Sequence, residues 1–194
     1  MYALCLSKAH FGQDLHVSGY LENISILVVD DNTFTRRLSV NILRCFGARD
    51  LEQAEDGEDA KNHIVSRTPD IVLTDWVMPP HNGIDLARWV RTGDGSPDPF
   101  LPIIMMSGYS DLERVAEARD AGVNEFLVKP MSPKNLMRRV QAVVEKPRSY
   151  IRHDAYFGPE RRRRELPFIG ADKRDDGMDH TREDSKLRKA TRKS

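Results

Sequence analysis

Cysteine is scarce in this 194-residue chain, which has only Cys5 and Cys45. Two are too few for a disulfide framework, and neither belongs to a CxxC or a His/Cys cluster of the kind that holds structural zinc. Cys45 falls inside a helical pattern, where it is expected to be a small core residue. No uninterrupted apolar run approaches the roughly 20 residues of a membrane span, and the N-terminus lacks the basic start, apolar block and cleavage site of a secretory signal. A soluble, cytoplasmic protein without a membrane span is the expectation. Net charge is missing too, since 30 Lys and Arg offset 30 Asp and Glu. That balance hides two opposed parts: residues 1–145 hold 15 basic and 21 acidic residues, net −6, and residues 146–194 hold 15 and 9, net +6. The length suits one domain and an appendage.

Residues 1–23 show no sustained period and read as a leader. From Ile24 the pattern sharpens. A short β-branched run, Ile26-Leu27-Val28-Val29, ends in Asp30-Asp31 and is followed by Phe34, Leu38, Ile42 and Cys45 at helical spacing, then by Gly47 as a stop. The alternation repeats: strand Leu51–Ala54, helix Gly57–Ser66, strand Asp70–Thr74, helix Ile84–Arg91, strand Pro102–Met106, helix Asp111–Ala121, strand Glu125–Val128, helix Asn135–Val144. Five strand-then-helix units predict an α/β fold, a doubly wound five-stranded parallel sheet with helices on both faces, over residues 24–145. Residues 146–194 are poor in aliphatics and rich in charge, including Arg161, Arg162, Arg163 and Arg164, so they read as a largely disordered basic tail. Tyr150, Tyr156, Phe157, Leu166, Phe168 and Ile169 mark a stretch that could dock locally.

In an open parallel sheet, ligands bind beyond the carboxyl ends of the strands. The residues that end these strands are Asp30-Asp31, Asp75, Ser107-Gly108 and Lys129-Pro130. Three converging carboxylates repel one another unless a cation sits among them. An all-oxygen set on a shallow rim suits Mg²⁺ better than zinc. With Lys129 opposite the metal and the Ser107 hydroxyl nearby, an incoming phosphoryl group would be neutralised on both sides. Asp75, on the central strand, is then the candidate nucleophile, and its product would be an aspartyl phosphate.

Val29-Asp30-Asp31-Asn32, Thr74-Asp75-Trp76-Val77-Met78-Pro79, Met106-Ser107-Gly108 and Phe126-Leu127-Val128-Lys129-Pro130 together resemble the receiver domain of two-component response regulators. The resemblance spans residues 24–145 and implies strand order 2-1-3-4-5. It implies that Asp75 accepts a phosphoryl group from a histidine kinase or histidine phosphotransfer protein. Asp31, Asp75 and the Val77 carbonyl would bind Mg²⁺, with Asp30 acting through a water. Ser107 and Phe126 would form a switch pair, Lys129 would contact the phosphoryl group, and the bond to Pro130 would be cis. Output would pass to a downstream protein through residues 110–145. The chain departs from the commonest pattern in having Ser107 for Thr and Phe126 without a phenolic hydroxyl, and in the doubled Pro79-Pro80.

Each feature also has a plainer reading. Asp30-Asp31 before Asn32-Thr33 could be helix capping, and the arginine run could be a solvated charge block. The two methionines Met105 and Met106, and Trp76 and Trp89, are expected to pack in the core, and His63 and His81 lack partners at metal-ligand spacing. A phosphohydrolase passing through an aspartyl phosphate would place a second carboxylate two residues after the nucleophile, where this chain has Val77. That favours a signalling switch over a turnover enzyme. A dinucleotide-binding domain would need a Gly-rich loop where Asp30-Asp31 stands. The remaining alternative is a receiver-like scaffold whose basic tail binds nucleic acid or another anionic partner.

Overall fold

The computed structural model describes residues 19–108, 112–153, 156–161 and 180–181. The alternation unfolds as β1 (Ile26–Val29), α1 (Thr33–Cys45), β2 (Leu51–Ala54), α2 (Gly57–Ser66), β3 (Ile71–Asp75), α3 (Gly83–Thr92), β4 (Ile103–Ser107), α4 (Leu112–Asp120), β5 (Glu125–Val128) and α5 (Pro133–Glu145). The strands form one parallel sheet in the order β2-β1-β3-β4-β5, as the resemblance implied. β1, β3 and β4 are buried along most or all of their length, which is why they read as unbroken apolar runs. Alternate residues feed two cores. Leu27, Val29, Val72, Ile103 and Met105 pack under α2, α3 and α4, whereas Val28, Leu73, Ile104, Met106 and Leu127 pack under α1 and α5.

The helix starts follow local capping. Asn32 accepts hydrogen bonds from the Phe34 and Thr35 amides, Asp56 from those of Glu58 and Asp59, and Ser132 from that of Asn135. Pro133 occupies the first turn of α5, where its missing amide costs nothing. Two expectations about α1 fail. The expected apolar stripe is largely outside: Phe34 is 77% exposed, Leu38 is exposed, and Cys45 is exposed rather than a core residue. The face against the sheet carries Val40, Leu43 and Phe46 together with Arg36 and Ser39. The cap at Asn32 starts the helix just past β1, and the face turned to the sheet carries Arg36 beneath the end of that strand.

Packed structure also extends past both expected boundaries. Leu21, placed in the leader, is fully buried against α1 and α5. Within the tail, in the stretch whose aromatics could dock locally, residues 150–159 form an antiparallel hairpin of β6 (Tyr150–His153) and β7 (Tyr156–Pro159), and β8 (His180–Thr181) pairs with the other edge of β6. The hairpin folds because its two aromatic anchors find a socket: Tyr150 and Phe157 are each only 8% exposed and pack edge-on against Phe100. Tyr150 donates its hydroxyl to the Phe100 carbonyl (2.8 Å) and accepts from Asn124 Nδ2 (3.0 Å). Beneath it the buried Arg91 guanidinium donates to the carbonyls of Pro99, Leu101 and Gly122 and to Asn124 Oδ1. Burial pushes the Arg91 pKa down, and the Tyr150 ring lies 5.3 Å from the guanidinium carbon. Leu166, Phe168, Ile169 and Arg162 to Arg164 lie outside the described residues.

Candidate functional site

The strand ends do converge. One oxygen from each of Asp30, Asp31 and Asp75 lies within 4.8 Å of the others. Asp30 is wholly buried at the end of β1, Asp31 is exposed at the rim, and the Asp75 side chain, closing β3, is 13% exposed. Because Asn32 performs the capping, neither neighbouring aspartate is committed to it. Asp30 Oδ1 instead accepts from the Asn32 amide at 2.9 Å. Lys129 Nζ reaches across from the end of β5 and lies 2.9 Å from both Asp30 Oδ2 and Asp75 Oδ1.

Burial pushes the Asp75 carboxyl above its ordinary value, and the Asp30 charge adds to this, against the lowering influence of Lys129 and the Trp76 amide. For Lys129, burial opposes the charge, but the hydrogen bonds and charges of Asp30 and Asp75 outweigh it, and its pKa rises. So Lys129 is held as an ammonium, while Asp75 ionises against a desolvation cost that one ammonium does not cancel. An oxygen-only donor set with surplus negative charge fits Mg²⁺. Asp30, Asp31 and Asp75 could hold it, with Val77, two residues beyond Asp75 in the following loop, contributing its carbonyl.

Ser107 ends β4, buried, and its carbonyl accepts from the Lys129 amide at 2.7 Å. That bond ties the two strand ends together and fixes the point from which the lysine reaches. The Lys129–Pro130 and Pro79–Pro80 peptides are both cis. Phe126 is half-buried on β5, and its ring meets that of Trp76, the neighbour of Asp75, edge-on at 6.2 Å. The expected core positions of Met105, Met106 and Trp76 are observed, while Trp89 is partly buried beside them. His63 Nδ1 lies 2.7 Å from Glu52 Oε2, away from the site.

Two residues of the site were missed in the sequence. Gly83 opens α3 directly against the Asp75 carbonyl, where an added Cβ would stand 2.0 Å from the oxygen. The other is Arg36, whose Nη1 donates to the Asp30 carbonyl at 2.7 Å. Neither bears a signal in a linear reading, because each acts on a residue of another element. Of the basic run, Arg161 is described: it pairs with Asp120 at the end of α4 (2.9 Å) and lies over the Tyr156 ring.

The family model of the response regulator receiver domain matches residues 26–141. The chain belongs to the response regulator receiver family. Among its relatives, the chemotaxis protein CheY-3 of Vibrio cholerae serotype O1 is 34% identical over 125 residues, covering 64% of this chain and 95% of that protein. The chemotaxis protein CheY of Pseudomonas aeruginosa is 35% identical over 123 residues, covering 63% and 98%. Among solved structures, CheY4 of Vibrio cholerae superposes with a TM-score of 0.57 at 28% identity, covering 62% of this chain and 98% of that one. The CheX–CheY–BeF₃–Mg²⁺ complex from Borrelia burgdorferi gives 0.56 at 28%, covering 62% and 88%. This protein is thus a CheY-like receiver of two-component signalling, with a hairpin beyond the matched segment. No helix among the described residues is long and apolar enough to cross a membrane.

Proposed function

We propose that the chain is a phosphorylation-dependent signalling switch in which Asp75 accepts a phosphoryl group from the phosphohistidine of a sensor kinase or phosphotransfer protein. The observation that carries this is the meeting of three carboxylates within 4.8 Å with Lys129 bridging two of them. An Asp75 oxygen attacks phosphorus, the O–P bond forms as the N–P bond breaks, and the electron pair returns to the imidazole, which takes up a proton. Bound Mg²⁺ would supply charge neutralisation for the phosphoryl oxygens. Asp30, Asp31, Asp75 and the Val77 carbonyl would hold it, Lys129 would neutralise the opposite side, and Ser107 would hydrogen-bond a phosphoryl oxygen. Val77 stands where a phosphohydrolase passing through an aspartyl phosphate would place its general acid and base, which suits a stored signal rather than turnover.

Ser107 and Phe126 form the switch pair in this reading, and output passes by protein contact through residues 110–145. Leu112, 87% exposed on α4, and the exposed Val128 on β5 offer apolar surface there. The basic tail is a second, independent route to an anionic partner, nucleic acid included, supported by the +6 charge of residues 146–194.

The test is intact mass after incubation with Mg²⁺ and a small phosphodonor, for wild type and Asp75→Asn, with a histidine kinase as a second donor. A Mg²⁺-dependent phosphoryl adduct, absent from Asp75→Asn and released by alkaline hydroxylamine, is expected. Equal labelling of the two proteins, or none with either donor, overturns the assignment. Lys129→Ala should retain Mg²⁺ binding and lose most of the phosphorylation response.

A further inference from the structure

We propose that Arg36 is a positioning residue for the metal site: its guanidinium fixes the peptide plane from which the Asp30 and Asp31 carboxylates project. The inference rests on the pocket binding Mg²⁺. Arg36 lies in the first turns of α1 with its side chain 9% exposed. Nη1 donates to the Asp30 carbonyl at 2.7 Å and Nη2 to Glu55 Oε1 at 2.9 Å, while the buried Nε has no hydrogen-bond partner among the described residues. Burying a guanidinium is costly, and Glu55, its one ion-pair partner among the described residues, is largely in solvent. A helix face packed on a sheet would be filled at lower cost by an aliphatic side chain. What the planar fork achieves, and an aliphatic or an ammonium would not, is to join the end of β1 to the residue just past β2.

That junction falls on the peptide linking the first two carboxylates. The Asp30 carbonyl belongs to the planar unit that continues into Asp31, so holding its oxygen sets the direction from which Asp31 departs. Asp30 is then fixed on three sides: its carboxylate by the Asn32 amide and by Lys129, and its carbonyl by Arg36. Asp31, exposed at the rim, has no such side-chain anchor among the described residues, and the plane behind it is its main restraint.

Charge and position predict opposite signs. A cation beside the site repels Mg²⁺, so a purely electrostatic Arg36 would weaken binding and its loss would tighten it; a positioning Arg36 strengthens binding. The experiment is a calorimetric titration of the full chain with MgCl₂ alone, at moderate salt to screen long-range charge, alongside thermal unfolding and phosphorylation at saturating Mg²⁺. Arg36→Lys keeps the charge and breaks the fork. It is expected to bind Mg²⁺ about tenfold more weakly, with phosphorylation recovering at saturating Mg²⁺. Affinity equal to wild type, or tighter, overturns the proposal. If Arg36→Lys does not fold, the exposed partner decides: Glu55→Ala, which removes the acceptor, is expected to bind more weakly than Glu55→Gln, which keeps an acceptor and removes the charge. Equal affinities of that pair overturn it as well. A wild type that takes up no Mg²⁺ defeats the pocket reading itself, and this inference with it.

Discussion

A carboxylate set beside two others in a half-closed pocket is under strain that shows in its protonation. The Asp75 pKa is raised chiefly by burial, so the folded state favours the protonated acid more than the unfolded chain does. Its contribution to stability is full below the unfolded pKa and is lost as pH rises through the folded value. Ionised Asp75 is therefore a destabilising charge at neutral pH. Asp75→Asn is expected to raise the urea midpoint of the Mg²⁺-free protein at pH 7, with the gap closing as pH falls below the ordinary carboxylate range and narrowing when Mg²⁺ is added. A variant less stable than wild type at pH 7 would count against this. Lys129 acts at the other extreme: its raised pKa supplies stability below the ordinary lysine value that disappears as pH climbs through the folded one. At this scale, Asp30, Asp75, Ser107 and Lys129 were legible because each closes a strand, and strand ends are readable from the apolar runs before them. Arg36 and Gly83 were not, because what they touch is decided by how α1 and α3 dock.

At the scale of the element, α1 and the hairpin teach opposite lessons. Phe34, Leu38, Ile42 and Cys45 have helical spacing, yet so do Val40, Leu43 and Phe46, and a periodicity cannot tell which stripe meets the sheet. In the fold the buried face also takes in the polar Arg36 and Ser39, which no apolar spacing would select. For the hairpin, the local aromatics marked a stretch able to dock within a charge-rich tail, and Tyr150 and Phe157 are what fold it, but the strand pairing and the socket at Phe100 have no signal in the linear sequence. Tyr150→Phe keeps the ring and strands the Phe100 carbonyl and the Asn124 amide, so it should cost about 1–2 kcal/mol in urea unfolding. Gly83→Ala forces the start of α3 away from the Asp75 carbonyl. A loss of roughly 1–3 kcal/mol, together with weakened Mg²⁺ binding, is expected; unchanged values of both would show that the close approach is not needed.

For the molecule as a whole, the matched segment, residues 26–141, is smaller than the unit that packs together. Leu21 enters one core, and the hairpin covers the buried Arg91 and the ring of Phe100. Deleting residues 146–194 uncovers both, and with two aromatic anchors removed the loss should reach about 3 kcal/mol or more. The denaturant slope should fall too, since less surface is exposed on unfolding. A truncated chain as stable as the whole would mean that the hairpin only rests on the surface.

The hairpin's socket is built from Phe100, just before β4, and Asn124, just before β5, whereas the pocket lies past the strands' other ends. The molecule thus has two poles separated by the length of its strands, about 17 Å for five residues at 3.3–3.4 Å each. Bodies seated at opposite poles do not compete for the same surface. The hairpin therefore enlarges the molecule at one end without covering the rim on which Asp30, Asp31 and Asp75 meet at the other.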